Sequence, residues 1–458
     1  MKSSRIIVGG DYARLLIEAS TNADTRAARR PGATNNRFEL RKRPVSMKRD
    51  MRRILLALLS VVSVAVGADE NLRPAQVPVP ATYFRMHFHR AATSTRIPRE
   101  GIGSWRLWDA RVAWRYLADK GPTIDFRPLD QLVSLARERH IDLLYTLGAT
   151  PGWASARAQE KGPYGAGSAA EPRDAEDLND FVRRVARRYK GQISNYEIWN
   201  EPNGGFFTGS VQSLVDISCS AASVLKAIDP QITVVSPSVV GGFPNNLQWL
   251  DDFLADGGGR CVDVIAHHIY AAHSTPESML GTLRGVQKIL TKYHLADKPL
   301  WNTESGWRLD LGPSKAPAID PHWPKLDAVL SPAYVARALL IGWAGGLQRY
   351  YWYSWDHLDM GFLQVDGQAS PSATAYLAME GWMRGAVVRE CASKGVVWQC
   401  TLTRDGATYF IVWSEDIASH VIPVPAGVAS VETLAGARRI VGRGATLAIG
   451  PQPLRLTP

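Results

Sequence analysis

The chain has 458 residues, 45% hydrophobic and 21% charged, enough apolar material for a large core and too much for a disordered chain. Its formal charge is +10, yet residues 1–68 hold 14 of the 53 Lys and Arg against 5 of the 43 Asp and Glu, so the rest is nearly neutral. A nucleic-acid partner, which would need a basic face on the folded body, is therefore not expected.

In chain order, "MKRDMRR" (47–53) is a basic segment, "ILLALLSVVSVAV" (54–66) an apolar one, and "VGA" a small-residue cleavage site before Asp69. This is the design of a secretory signal peptide over 47–68. Residues 1–46 then read as a non-native or disordered extension, with translation starting at Met47 or Met51. Thirteen apolar residues fall short of the ~20 that span a bilayer, so an uncleaved anchor is only the alternative. The expectation is a secreted or periplasmic protein with no stable membrane insertion after cleavage; oligomeric state carries no signal in the sequence. Residues 69–82 read as a linker.

From residue 83, runs rich in β-branched and aromatic residues alternate with amphipathic helical patterns. The strands are "YFRMHFH" (83–89), "SWRLW" (104–108), "DLLYTLG" (142–148), "NYEIWNE" (195–201), "ITVVSPS" (232–238), "VIAHHIY" (264–270), "PLWNTES" (299–305) and "RYYWYSW" (349–355). Helical spacing recurs between them, as in "LNDFVRRVARRYK" (178–190). Eight such units predict an α/β fold, a (β/α)8 TIM barrel over 83–379. A doubly wound open sheet is the alternative, but no glycine-rich phosphate loop follows the first strand. Beyond 380 short alternating strands without helices predict a small C-terminal antiparallel β-sandwich over 380–458, with a structural role against the barrel. Cys391 and Cys400 flank an apparent hairpin turning at Lys394-Gly395 and could bridge. Pairing of Cys219 with Cys261 follows by elimination, and buried free thiols are the alternative.

In such a barrel the active site lies where the strands end. Those ends carry His87 and His89, Arg106 and Asp109, Asn200 and Glu201, His268 and Tyr270, Glu304, and Trp352, Trp355 and Asp356. Glu201 and Glu304 form a carboxylate pair of the kind glycoside hydrolysis needs, one to protonate the leaving oxygen and one to attack or steady the sugar centre. A metal held by the glutamates and nearby histidines is the alternative; no metal or cofactor is expected. Arg106 could simply pair with Glu197, and His87, His89 and His268 could be packed interior groups. Trp153 and Trp307 read as core, whereas Trp352 and Trp355 are candidate platforms for sugar rings. The long Gly- and Pro-rich loops after the third and seventh strands are expected to wall a groove.

"IWNEPN" (198–203) and "LWNTESGW" (300–307) resemble the acid/base and nucleophile motifs of clan A retaining glycoside hydrolases. "GSWRLWD" (103–109), "TLGATPGWAS" (146–155), "HHIY" (267–270) and "YYWYSWD" (350–356) resemble family 39, particularly its bacterial secreted enzymes acting on exopolysaccharide. The resemblance implies Glu201 as acid/base and Glu304 as nucleophile, with Arg106 and Tyr270 as donors to Glu304 and Asn200 bonding the sugar 2-hydroxyl. His89, His268, Tyr270, Trp352 and Trp355 complete the expected substrate-binding set. The expected partner is a polysaccharide or oligosaccharide, cut internally. Alternatives are an exo-acting β-xylosidase-like enzyme and a non-catalytic polysaccharide-binding protein of an export system.

Overall fold

The computed structural model of the chain describes residues 69–91, 98, 101–241, 247–312, 318–364 and 366–458; the signal peptide assigned to 47–68 and the extension before it lie outside them. After a short strand β1 (Asn71–Leu72) come β2 (Phe84–His87), β3 (Ser104–Leu107), β4 (Asp142–Leu147), β5 (Asn195–Ile198), β6 (Thr233–Val235), β7 (Val239–Val240), β8 (Ile265–His268), β9 (Leu300–Ser305) and β10 (Arg349–Trp352). From β2 onward these form one parallel sheet ordered β6-β5-β4-β3-β2-β10-β9-β8-β7.

The two ends of that order are halves of a single strand. Pro237 has no N–H to give to a ladder, and it lies between β6, which pairs with β5, and β7, which pairs with β8. A parallel bridge between Val235 and Val264 joins the ends, so eight strands close on themselves. Leu144, Val235, Val264, Ala266, Trp301 and Tyr351 form a separate buried cluster contributed by five of these strands. This packed interior is what a barrel of eight strands requires.

Around it run α1 (Trp114–Leu117), α2 (Arg127–Glu138), α3 (Ala175–Arg188), α4 (Val211–Ile228), α5 (Gln248–Ala255), α6 (Met279–Lys292), α7 (Leu330–Ala344) and α8 (Pro371–Met383). Helix α3 shows why they form. Asp174 caps it by accepting from the Glu176 N–H, Glu176 and Asp177 fill its first turn and Arg187 and Arg188 its last, each complementing the helix dipole. Its buried face, Leu178, Phe181, Val182 and Val185, follows the helical period. Helix α4 is long and apolar enough to cross a membrane by length and composition, with a mean hydropathy of 1.3, against the expectation that no segment beyond the leader is apolar enough to span. It instead packs on α3 between β5 and β6, buries Leu214, Val215 and Leu225, and is tied by the Cys219–Cys261 disulfide.

The C-terminal part comprises β11 (Val387–Lys394), β12 (Val397–Arg404), β13 (Ala407–Ser414), β14 (His420–Pro423), β15 (Ser430–Thr433), β16 (Arg438–Ile440), β17 (Thr446–Ile449) and β18 (Leu454–Thr457). A sheet ordered β1-β11-β12-β13-β18-β15-β16 faces the β14-β17 pair, across Val412, Val431, Leu447, Ile449 and Leu456. Strand alternation gives β13 two allegiances: Phe410 and Val412 join that small core, while Tyr409, Ile411 and Trp413 join the core continuous with the barrel. Cys391 and Cys400 are directly opposite and disulfide-bonded. The hairpin turn is Gly395-Val396, one residue later than expected, because Lys394 still pairs with Val397 and Gly395 takes the positive φ of 57°.

Residues 69–82 are not a free linker. Asn71 and Leu72 pair antiparallel with Ala392 and Cys391, and Pro78 and Val79 bridge to Val387 and Arg384. Between barrel and sandwich, fully buried Arg337 of α7 pairs with Glu277, which also accepts from Trp413 Nε1 at 2.8 Å. Arg337→Met, which strands the Glu277 carboxylate, is expected to lower the unfolding free energy by about 3–5 kcal/mol in urea titration.

Candidate active site

The site is built around Arg106 of β3, a fully buried guanidinium. Its Nε donates to Glu197 Oε2 at 2.7 Å, its Nη1 to Glu304 Oε2 at 2.8 Å and its Nη2 to Asn200 Oδ1 at 2.8 Å. Thr146 Oγ1 donates to the same Glu197 oxygen at 2.8 Å. Glu197 therefore anchors the guanidinium from within the barrel, and the fork spans two further side chains at the strand ends.

Consecutive residues of a regular strand face opposite sides, yet Asn200 and Glu201 both reach this centre. Strand β5 stops at Ile198, and Trp199 and Glu201 adopt left-handed φ values of 71° and 38°. The segment stays bonded on both flanks, Trp199 N–H to the Leu147 carbonyl and Glu201 N–H to the Ser238 carbonyl, each at 2.9 Å. The Trp199 ring lies in the hydrophobic core beside Phe207 and over Gly148, where a Cβ would sit 3.2 Å from it and φ is +133°. A regular strand would point Glu197, Trp199 and Glu201 to one face; that alternation is broken here. On the opposite side of the site β9 carries a bulge: Asn302 pairs with His267 but Glu304 with His268. The extra residue turns Glu304 toward the centre, a common use of bulges beside active sites.

Glu304 accepts from Arg106 and, through Oε1, from the Tyr270 hydroxyl at 2.8 Å. Glu201 Oε1 lies 2.7 Å from His268 Nδ1. One ligand-type atom from each of Glu201, His268 and Glu304 fits within 4.8 Å of the others. Such a trio could in principle hold a metal. Here both Glu304 oxygens already receive donors, and the adjacent guanidinium would repel a cation.

Burial and the neighbouring Glu201 push the Glu304 carboxyl well above its ordinary range, while Arg106 and the Tyr270 hydroxyl pull it back. Two carboxyls this close titrate as a pair that retains one proton. The remaining negative charge is best placed on Glu304, beside the guanidinium, which leaves the proton on Glu201. His268 is held neutral by burial and by Arg106. Its Nδ1 can accept the Glu201 proton, or in the other tautomer donate to the Glu201 carboxylate.

The remaining candidates divide. His87 lies deeper and donates from Nε2 to the Thr303 carbonyl at 3.0 Å. His89, half-buried at the mouth, packs 4.8 Å from Tyr353. Trp352 and Trp355 are not sugar platforms. Trp352 has no exposed surface and is stacked between Trp307 and Phe362, and Trp355 is buried against Phe88 and Phe362. Their places at the mouth are taken by residues without a strong sequence signal. Tyr353 packs over His87 and His89. Trp323, in the loop after β9, lies 5.3 Å from the Tyr270 ring and is partly exposed. Only Trp153, Trp249 and Trp323 of the fifteen tryptophans keep more than marginal exposure, and the first two sit among the outer helices. Spacing could not have singled out Trp323, whose loop has no periodic pattern; Asp109 stood among the strand ends but without a partner to give it a role.

A closed parallel barrel with two facing carboxylates at the C-terminal mouth, an arginine and a tyrosine donating to one of them, defines a glycoside-hydrolysing site. The family model of glycosyl hydrolases family 39 matches residues 89–352, well over half of the chain, and the protein belongs to that family of glycosidases. No curated protein sequence matches it. Among solved structures it is similar to a family 39 glycoside hydrolase from the gut symbiont Bacteroides cellulosilyticus WH2, at 18% identity and a TM-score of 0.65 over 83% of this chain and 81% of that one. It is also similar to a monomeric beta-xylosidase from Caulobacter crescentus CB15, at 16% identity and a TM-score of 0.60 over 84% and 98%.

The donors to Glu304 give a pH test. The Tyr270 bond lowers the Glu304 pKa, so its loss in Tyr270→Phe raises it and Glu304 takes up its proton at higher pH. The acid limb of kcat/KM is expected to move up by about one pH unit, the worth of one such hydrogen bond, while the alkaline limb holds.

Proposed function

We propose that the protein is a retaining glycosidase in which Glu201 is the acid/base and Glu304 the nucleophile. The separation of the carboxylates carries this reading. Their nearest oxygens, within 4.8 Å, suit the separation of about 5–5.5 Å used for direct attack better than the about 6.5–9.5 Å between carboxyls of inverting enzymes.

In the first step the Glu201 proton passes to the glycosidic oxygen as Glu304 Oε1 or Oε2 bonds to the anomeric carbon and the leaving sugar departs. In the second, Glu201, now ionised, takes a proton from water, whose oxygen displaces Glu304. Arg106 and Tyr270 keep Glu304 ionised before attack and receive its charge back afterwards. Asn200, held by Arg106 through Oδ1, keeps its amide donors for the substrate, as a contact to the sugar 2-hydroxyl requires.

The substrate reading is a bacterial exopolysaccharide cut internally, outside the cytoplasm. It is supported by the secretory leader of the sequence and by the likeness of the strand-end motifs to secreted family members. A second reading, exo-acting release of xylose-type units, is favoured by the likeness to the Caulobacter beta-xylosidase. Rapid loss of polymer viscosity with few reducing ends supports internal cutting; monosaccharide as the first product supports the second reading.

Glu304→Gln and Glu201→Gln are each expected to lower kcat by at least about a thousandfold. Azide should rescue Glu304→Gly with inverted product, read by NMR of the anomeric proton; full activity in either Gln variant would overturn the assignment. Trp323→Ala is expected to raise KM for oligosaccharides about tenfold, the loss of one aromatic contact, with little change for a short aryl glycoside.

A further inference from the structure

Asp109 follows β3 with a left-handed φ of 57°. Its Oδ1 accepts from the Tyr164 hydroxyl at 2.5 Å and its Oδ2 from the Tyr353 hydroxyl at 2.8 Å. Tyr164 comes from the long loop after β4 and Tyr353 from the end of β10, so two distant segments converge on one carboxylate. The group stays partly exposed, and among the described residues no cation pairs with it. On one side stands the aromatic wall of Trp108, Tyr164, Tyr116 and Phe206. On the other lies the catalytic pair, near enough that the Asp109 charge opposes ionisation of Glu304.

A carboxylate only accepts hydrogen bonds and has room for about four. The tyrosines use two, leaving acceptor capacity on a partly exposed anion. Arg111 and Arg115 stand with it around Tyr116, but toward the catalytic pair the balance of charge is negative. Glu197, Glu304 and Asp109 are carboxylates, Arg106 is already shared between the first two, and burial keeps His87, His268 and His357 neutral. A carboxylate on the substrate would meet a net negative charge beside the catalytic pair; a hydrogen-bond donor would meet open lone pairs.

We propose that Asp109 is a substrate-binding residue that accepts from a hydroxyl or ammonium group of the sugar beside the catalytic pair, and thereby restricts the enzyme to uncharged or amine-bearing glycans rather than uronates. The inference rests on the glycosidase reading of the site and adds the chemical class of the substrate.

The full mature chain is assayed against matched neutral, amino and uronate glycans, with kcat/KM for each. Wild type is expected to act least on the uronates. Asp109→Asn removes the charge while keeping a residue that tolerates positive φ. It is expected to lower kcat/KM by about tenfold or more on the preferred glycans and to leave the uronates unchanged or improved. A larger fall on amino glycans identifies an ammonium as the donor, and an equal fall on neutral ones a hydroxyl. Tyr164→Phe, which loosens the clamp but keeps the carboxylate, should retain the order of preference.

Equal loss on all three classes, no loss, the same altered order in Tyr164→Phe, or a wild type that acts on none or prefers uronates overturns the proposal. Glu304→Gln separates the two readings: it should abolish turnover of whichever glycan is cut, whereas Asp109→Asn should change which glycan is preferred.

Discussion

A permanently charged guanidinium at the centre of the barrel governs the organisation of this site. Arg106 cannot shed its proton, and an unpaired charge in a packed interior costs several kcal/mol. Its surroundings are therefore fixed: Glu197 below neutralises it, Thr146 orients that carboxylate, and Glu304 and Asn200 occupy the rest of the fork. With one cation shared by two carboxylates, the group of charges stays net negative. That imbalance is what allows a proton to remain on Glu201 while Glu304 is ionised. The same guanidinium suppresses the charging of His268, so the imidazole nearest Glu201 stays neutral.

Both Glu201 and Glu304 reach the centre through departures from regular strand geometry. Left-handed residues in non-glycine positions cost on the order of 1–3 kcal/mol and persist only where surrounding structure over-determines them. At Glu201 the restraint comes from hydrogen bonds to both flanking strands and from the Trp199 ring wedged over Gly148. At Glu304 a bulge that shifts the register with both neighbouring strands, while the parallel pairing on each side persists, does the same work. Placing the reactive groups on a closed sheet, rather than on loops, gives them a rigid mount.

The C-terminal sheet is part of that mount. One face of β13 belongs to the barrel's core and the other to the sandwich, so the two parts share side chains across an interface rather than touching at a surface. Residues 71–79 run along β11 and near the start of β2, tying the chain before the barrel to the domain after it. The Cys391–Cys400 bridge closes a hairpin whose strands already pair, whereas Cys219–Cys261 joins α4 to the turn before β8; the longer loop gains more from closure.

The barrel, the sandwich and two carboxylates at facing strand ends were legible in the sequence. Strand and helix periods are local properties, and a carboxylate at a strand end acquires its position as soon as the barrel is granted. The role of Glu197 as the partner of a buried arginine was legible for the same reason, since depth along a strand is a count of residues. Tertiary packing alone sets which aromatic rings keep an open face, that residues 69–82 lie on the sheet, and that Asp109 sits between two tyrosines. Trp352 and Trp355 end a strand at the mouth, yet neighbours far away in sequence cover them, while Trp323 stays open in a loop without pattern. Exposure and hydrogen-bond partnership depend on which segments converge in space, and no local period records that.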